Sequence, residues 1–219
     1  MRFIIECDGP VLDVQPAHWA AYSTVCRELG LARIEPVDFW RAVRRGDPDG
    51  QLVRGAKPLK IREFRRRYDQ CLETDEVIAH MQPHDGSGDA LRKLAALAQC
   101  NLISPAANRQ ARQQRLDQHD LSIHFTRMKS LSTDRGYRID QLRTLSEGDH
   151  QSLCVVSSAS MILACEEADL FTVGVTTGPC SPARLTRTGA RCTFASLADL
   201  ADDLRARSPA LSAAGFVAA

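Results

Sequence analysis

The sequence is short of several things that would decide its function outright. It has no apolar run near the ~18–20 residues that a membrane helix needs, and no positively charged, then apolar leader precedes its first apolar segment. A cytoplasmic protein that neither spans nor binds a membrane is therefore expected. Charge of one sign is also lacking, with 28 Lys+Arg set against 27 Asp+Glu. Such a balance gives no strong field to draw in nucleic acid or anionic lipid, and it favours a small-molecule or protein partner. Internal repeats and low-complexity tracts are absent apart from an Ala/Ser-rich tail after Ser208, which is expected to fray. The eight cysteines (7, 26, 71, 100, 154, 165, 180 and 192) include no Cys-x-x-Cys pair and no Cys/His cluster at zinc spacing. Several fall in apolar runs, where a free thiol behaves as a small core residue, so buried reduced thiols are expected.

What is present is a 219-residue chain, long enough for one substantial core plus an insertion. Its organising stretch is Phe3-Ile4-Ile5-Glu6-Cys7-Asp8-Gly9-Pro10-Val11-Leu12-Asp13, an apolar run that ends in acidic residues and a glycine. The pattern predicts a buried strand that delivers carboxyl groups to its C-terminal tip, where open α/β sheets hold their ligands. Four similar short runs predict further strands near 100–104, 153–157, 171–175 and 191–194.

Between the first two strands the spacing predicts helices. Pro16 to Gly30 carries Trp19, Tyr22, Val25 and Leu29 at helical intervals, and Pro36 to Gly46 follows the same grammar. Asp47-Pro48-Asp49-Gly50 reads as a turn. Lys60 to His80 reads as one long helix with Ile61, Phe64, Tyr68, Leu72 and Val77 on one face. Aromatics at this spacing are core residues first. Trp19, Tyr22, Trp40, Arg44, Arg45 and Lys57 are weaker candidates for ligand contacts.

The opening stretch resembles the first motif of the haloacid dehalogenase superfamily, an apolar strand followed by Asp-x-Asp-Gly-Thr and a trailing Asp. The later segments resemble its other landmarks in order. Ser104, closing Cys100-Asn101-Leu102-Ile103-Ser104, is similar to the phosphate-binding Ser or Thr of the second. Lys129, Arg135 and Arg138 are candidates for the basic third, with Arg138 at the best spacing. Ser152 to Gly178 resembles the frame of the last. The resemblance implies a Rossmann-like, doubly wound and mainly parallel sheet formed by residues 1–13 and 82–208. It further implies an α-helical cap over 14–81, as in the phosphoglycolate-phosphatase-like subgroup, and a frayed tail over 209–219.

For the site, the resemblance implies Glu6 in the nucleophile's position and Asp8 as acid/base, both as magnesium ligands, with Gly9, Asp13, Ser157 and Ser158 around the ligand. The chain departs from the pattern at four places. Glu6 replaces an aspartate, Pro10 replaces a threonine, and Ser158 and Ile162 stand where the last motif carries its metal-binding acids. An extra methylene displaces an attacking oxygen by about 1 Å, a shift that can cost on the order of 10²-fold, and a neutral serine is a poor ligand for magnesium. The expectation is a protein of phosphatase ancestry whose magnesium-dependent hydrolysis is lost or strongly reduced, acting by binding a small phosphorylated metabolite, an anion or a protein. The alternative is an active phosphatase on a small phosphorylated metabolite, using Glu6 and Asp8.

Overall fold

The computed structural model describes residues 1–46, 52–105, 107–146, 152–206 and 211. The turn expected at Asp47–Gly50 lies outside them, as does the tail expected over 209–219 except for Leu211, which is buried against the core.

Six strands form one parallel sheet: β1 (Arg2–Glu6), β4 (Gln99–Ser104), β5 (Arg127–Ser130), β6 (Ser152–Val156), β7 (Phe171–Val175) and β8 (Cys192–Phe194). Their order is β5-β4-β1-β6-β7-β8, with Phe3 opposite both Cys100 and Leu153. The chain winds outward from β1 through β4 to β5, then crosses back to β6 and winds the other way. The switch falls between β1 and β6, where a crevice opens beyond the strand ends.

Alternation along β1 sends Phe3 and Ile5 to one face and Ile4 to the other. The first face packs on α5 (Ser87–Leu97), α6 (Arg109–Gln118) and α10 (Leu197–Ala206), through Leu91, Leu94, Leu116 and Leu200. The second packs on α7 (Arg135–Ser146), α8 (Ala159–Glu167) and α9 (Pro182–Thr188), through Leu142, Met161, Ile162 and Leu185. The α/β doubly wound architecture read from the sequence is the one observed. Of the six strands in this sheet the sequence reading omits β5, whose Arg-Met-Lys-Ser has no apolar run. As an edge strand it is only partly covered, so it needs none.

After β1 a two-residue strand, β2 (Leu12–Asp13), pairs antiparallel with β3 (Gln82–Pro83). The chain therefore leaves and re-enters the sheet layer at one place, and the described residues between carry four helices: α1 (Gln15–Leu29), α2 (Pro36–Arg45), α3 (Pro58–Leu72) and α4 (Asp75–Ile78). These helices have their own core, in which Tyr22 stacks on Phe39 with ring centroids 4.6 Å apart and meets Phe64 edge-on. The Tyr22 hydroxyl accepts from the Ile34 N–H at 3.0 Å and donates to the Leu52 carbonyl at 3.1 Å. Tyr22→Phe keeps the stacking and leaves both backbone groups unpaired, so it is expected to lower stability by about 2 kcal/mol in thermal or denaturant unfolding.

The single helix expected over Lys60–His80 is two. Thr74 is extended (φ −82°, ψ 145°), and its side chain accepts from the Val77 N–H to cap α4. A capping threonine followed by Asp75 and Glu76 starts a helix better than it continues one. The break leaves Glu73 at the end of α3, where it meets Asn108 and Arg112 at the start of α6. Among the described residues no helix is long and apolar enough to cross a membrane, and all eight cysteines are free.

Candidate functional site

Glu6 ends β1 with only 1% of its surface exposed. Its carboxyl group reaches across the switch point to the start of α8. The Ser157 and Ser158 N–H groups donate to Oε2 at 2.6 and 3.2 Å, and the Ser158 hydroxyl donates to Oε1 at 2.7 Å. Burial pushes the Glu6 carboxyl up to about 7, against the pull of these donors. Ser157 also donates its hydroxyl to the Asp8 carbonyl at 2.9 Å, tying the two loops together.

Close approach of backbone fixes this junction. Gly9 has φ +99° and lies against Ser157 and Gly178. Its carbonyl accepts from the Thr177 hydroxyl at 2.7 Å and from His84 Nε2–H at 2.8 Å.

Asp8 faces a different partner. Arg112, from α6, places Nε 3.0 and 2.9 Å from its two oxygens, and Nη1 donates to Glu73 Oε2 at 2.9 Å. Burial works against the Arg112 charge, but the Asp8 and Glu73 carboxylates outweigh it and raise its pKa. From α1, His18 sets Nδ1 2.6 Å from the Tyr68 hydroxyl. Burial, helped by the nearby Arg112 charge, lowers His18 to about 4, so it is neutral at pH 7.

These groups enclose a cavity of about 230 Å³. Glu6, Asp8, His18, Glu73, Arg112, Ser158 and Ser160 supply its polar wall, and Val14, Leu72 and Met81 line it from the helical insertion. Among the described residues no group of three or more His, Cys, Asp or Glu lies close enough to hold a metal ion.

The structure thus brings together Glu6, Asp8, Gly9, Ser157 and Ser158. Ser104 is buried at the end of β4, next to β1, and is not among the residues that line the cavity; with Lys129 and Arg112 it borders a second void of about 10 Å³. Asp13 accepts from the Gln15 N–H at 2.9 Å, at the start of α1, and does not line the cavity. Arg138 does not line it either; its Nε turns back to the Ser132 carbonyl at 2.8 Å, while Arg135 pairs with Glu167. The base beside Asp8 is Arg112, which the sequence reading missed. Arg109, Arg112 and Arg115 recur at intervals of three along α6, and nothing local marks the middle one as buried.

No family model matches the sequence, and no curated protein sequence matches it. Solved structures do. Over 93% of its length the chain is similar to a haloacid dehalogenase-like hydrolase from Streptococcus pneumoniae, with 97% of that chain covered, TM-score 0.71 and 14% identity. The chain has the haloacid dehalogenase-like fold. It is likewise similar to a hydrolase from Pseudomonas syringae, at TM-score 0.65 and 15% identity over 94% of this chain and 99% of that one. A structure described as a predicted phosphoglycolate phosphatase from Haemophilus somnus superposes at TM-score 0.64 and 14% identity, over 92% and 96% of the two chains. At these identities the likeness is one of fold. In this fold Glu6 and Asp8 occupy the tip of the central strand, and Ser157 and Ser158 the loop after its neighbour.

Proposed function

We propose that the protein is a cytoplasmic, ligand-binding version of this fold, in which magnesium-dependent phosphoester hydrolysis is lost or strongly reduced. The observation that carries this reading is the state of Glu6. A carboxylate nucleophile must be ionised and aimed in line at the reacting centre, whereas Glu6 is fully buried, burial pushes its carboxyl up to about 7, and Ser157 and Ser158 hold both of its oxygens in place.

The donor set does not fit magnesium. That ion takes six oxygens in near-octahedral array at about 2.0–2.1 Å, usually with one or two carboxylates among them. Here the Asp8 carboxylate already holds a guanidinium, the later loop contributes only neutral Ser157 and Ser158, and among the described residues no three acids of the cavity lie close enough to hold a metal ion. No step is routed through a metal. What the residues supply is a preformed, partly apolar chamber beneath the helical segment 14–81, which acts as its cap. With Glu6, Asp8 and Glu73 set against Arg112, the wall carries more acid than base. A small polar molecule, neutral or cationic, fits such a wall better than the phosphate expected from the sequence.

The test is hydrolysis of a generic phosphoester with magnesium present, comparing the native chain with Glu6→Ala. Equal, near-background rates are expected. A native rate well above background that disappears in Glu6→Ala would establish the protein as a phosphatase and overturn the proposal.

A further inference from the structure

We propose that Arg112 is the resident cation of this cavity: a fixed guanidinium between Asp8 and Glu73 that closes the site to divalent metal and ties the helical segment to the sheet. The inference deepens the proposed function, since it takes the Glu6–Asp8 cavity as the working site.

Its side chain is 5% exposed, yet all three guanidinium nitrogens have acceptors. Nε meets both Asp8 oxygens. Nη1 donates to Glu73 Oε2 and to the Asn108 carbonyl, at 2.9 and 3.1 Å, and Nη2 reaches 3.5 Å from Glu73 Oε1. Asn108 caps α6 one turn earlier and fixes Glu73 from the other side. Its N–H donates to Glu73 Oε2, and its side-chain amide donates to the Glu73 carbonyl and to Asp75, at 2.9, 2.9 and 2.6 Å.

One side chain therefore joins the tip of β1, the end of α3 and the start of α6. A guanidinium suits this task because its flat fork spans acceptors held well apart, whereas a compact divalent ion would have to draw them together. Arginine does not lose its proton in proteins. The positive charge opposite Asp8 is thus permanent and independent of metal supply. Burial works against this charge, but once it is in place its removal would strand Asp8 and Glu73 without their partner.

Chemical rescue separates a cation from a mere filler. Melting temperatures are measured for the native chain, Arg112→Ala and Arg112→Lys, each with magnesium chloride, with methylguanidinium chloride and with sodium chloride at matched ionic strength. Arg112→Ala is expected to melt lower and to recover part of the loss with methylguanidinium or magnesium but not with sodium, while the native chain responds to none. An Arg112→Ala protein indifferent to both cations would overturn the proposal, as would calorimetric binding of magnesium by the native chain. Should Arg112→Ala not fold, Arg112→Lys decides, because it retains a positive charge. A melting temperature independent of magnesium supports the proposal, and a rise with magnesium sinks it. Phosphoester turnover by a native chain that binds no magnesium would remove the proposed function and leave the role of Arg112 intact.

Discussion

Gly9→Ala is expected to lower stability by about 2–5 kcal/mol in denaturant unfolding, combining the cost of a left-handed L-residue with that of overpacking. At φ +99°, an added Cβ would lie 2.1 Å from Ser157 Oγ, 2.8 Å from Ser157 Cβ and 2.9 Å from Gly178 Cα. None of these atoms can retreat easily. Ser157 is fully buried and its N–H holds the Glu6 carboxyl, so moving it undoes the contact on which the cavity is built. Gly178 adjoins Gly9 and crowds the same side chain, since its own added Cβ would fall 2.2 Å from the Ser157 hydroxyl. Gly30→Ala is the control. Its φ is +59°, but the space around it is open, so only the conformational penalty of about 1–2 kcal/mol applies. Similar losses in the two variants would show that the Gly9–Ser157–Gly178 contact is slack.

Glu6→Gln is expected to leave stability unchanged in acid and to raise it by on the order of 3 kcal/mol at alkaline pH, from the gap between 4.5 and about 7. The sign follows from proton binding. The folded chain holds the Glu6 proton more tightly than the unfolded chain, so Glu6 favours folding below pH 4.5 and that advantage disappears as pH rises to about 7. Glutamine carries no charge to bury. Its carbonyl oxygen can accept from the Ser157 and Ser158 N–H groups, and its amide can donate to the Ser158 hydroxyl, which rotates to accept.

His18 works the other way in nearly the same range. Lowered from 6.5 to about 4, it removes stability as pH falls between those values. The two opposing trends flatten the native profile, and Glu6→Gln should expose the rise with pH that His18 produces. Unfolding free energies of both chains across pH 4 to 8 provide the check. A constant difference between the chains would show that the Glu6 carboxyl binds its proton equally well in the folded and unfolded chains.

The parts of this molecule that were legible in its sequence are those determined by local chemistry. The runs Phe3-Ile4-Ile5 and Leu153-Cys154-Val155-Val156 announce central strands because both of their faces must be apolar. Edge strand β5 carries no such mark. The break before α4 was legible in principle, since Thr74-Asp75-Glu76 is a capping signature, but the apolar stripe running through it reads as continuous. At the site, Glu6 and Asp8 were visible from their place at a strand tip. Arg112 was not, because its burial is decided by Asp8, 104 residues away, and Glu73, 39 residues away. Arg138 looked suitable by spacing alone, yet its guanidinium is taken by the carbonyl groups of its own loop.

The thiols give the protein a set of internal reporters. Six of the eight are buried, one or more in each packed layer: Cys26 among the inserted helices, Cys7 and Cys100 on one face of the sheet, Cys154, Cys165 and Cys180 on the other. Only Cys71 and Cys192 are partly open to solvent. Alkylation should mark those two first and reach the others only when their layer breathes. The order in which the remaining thiols react, followed by mass spectrometry, becomes a clock for which layer loosens first, and Cys26 reads out the inserted helices without any engineered label.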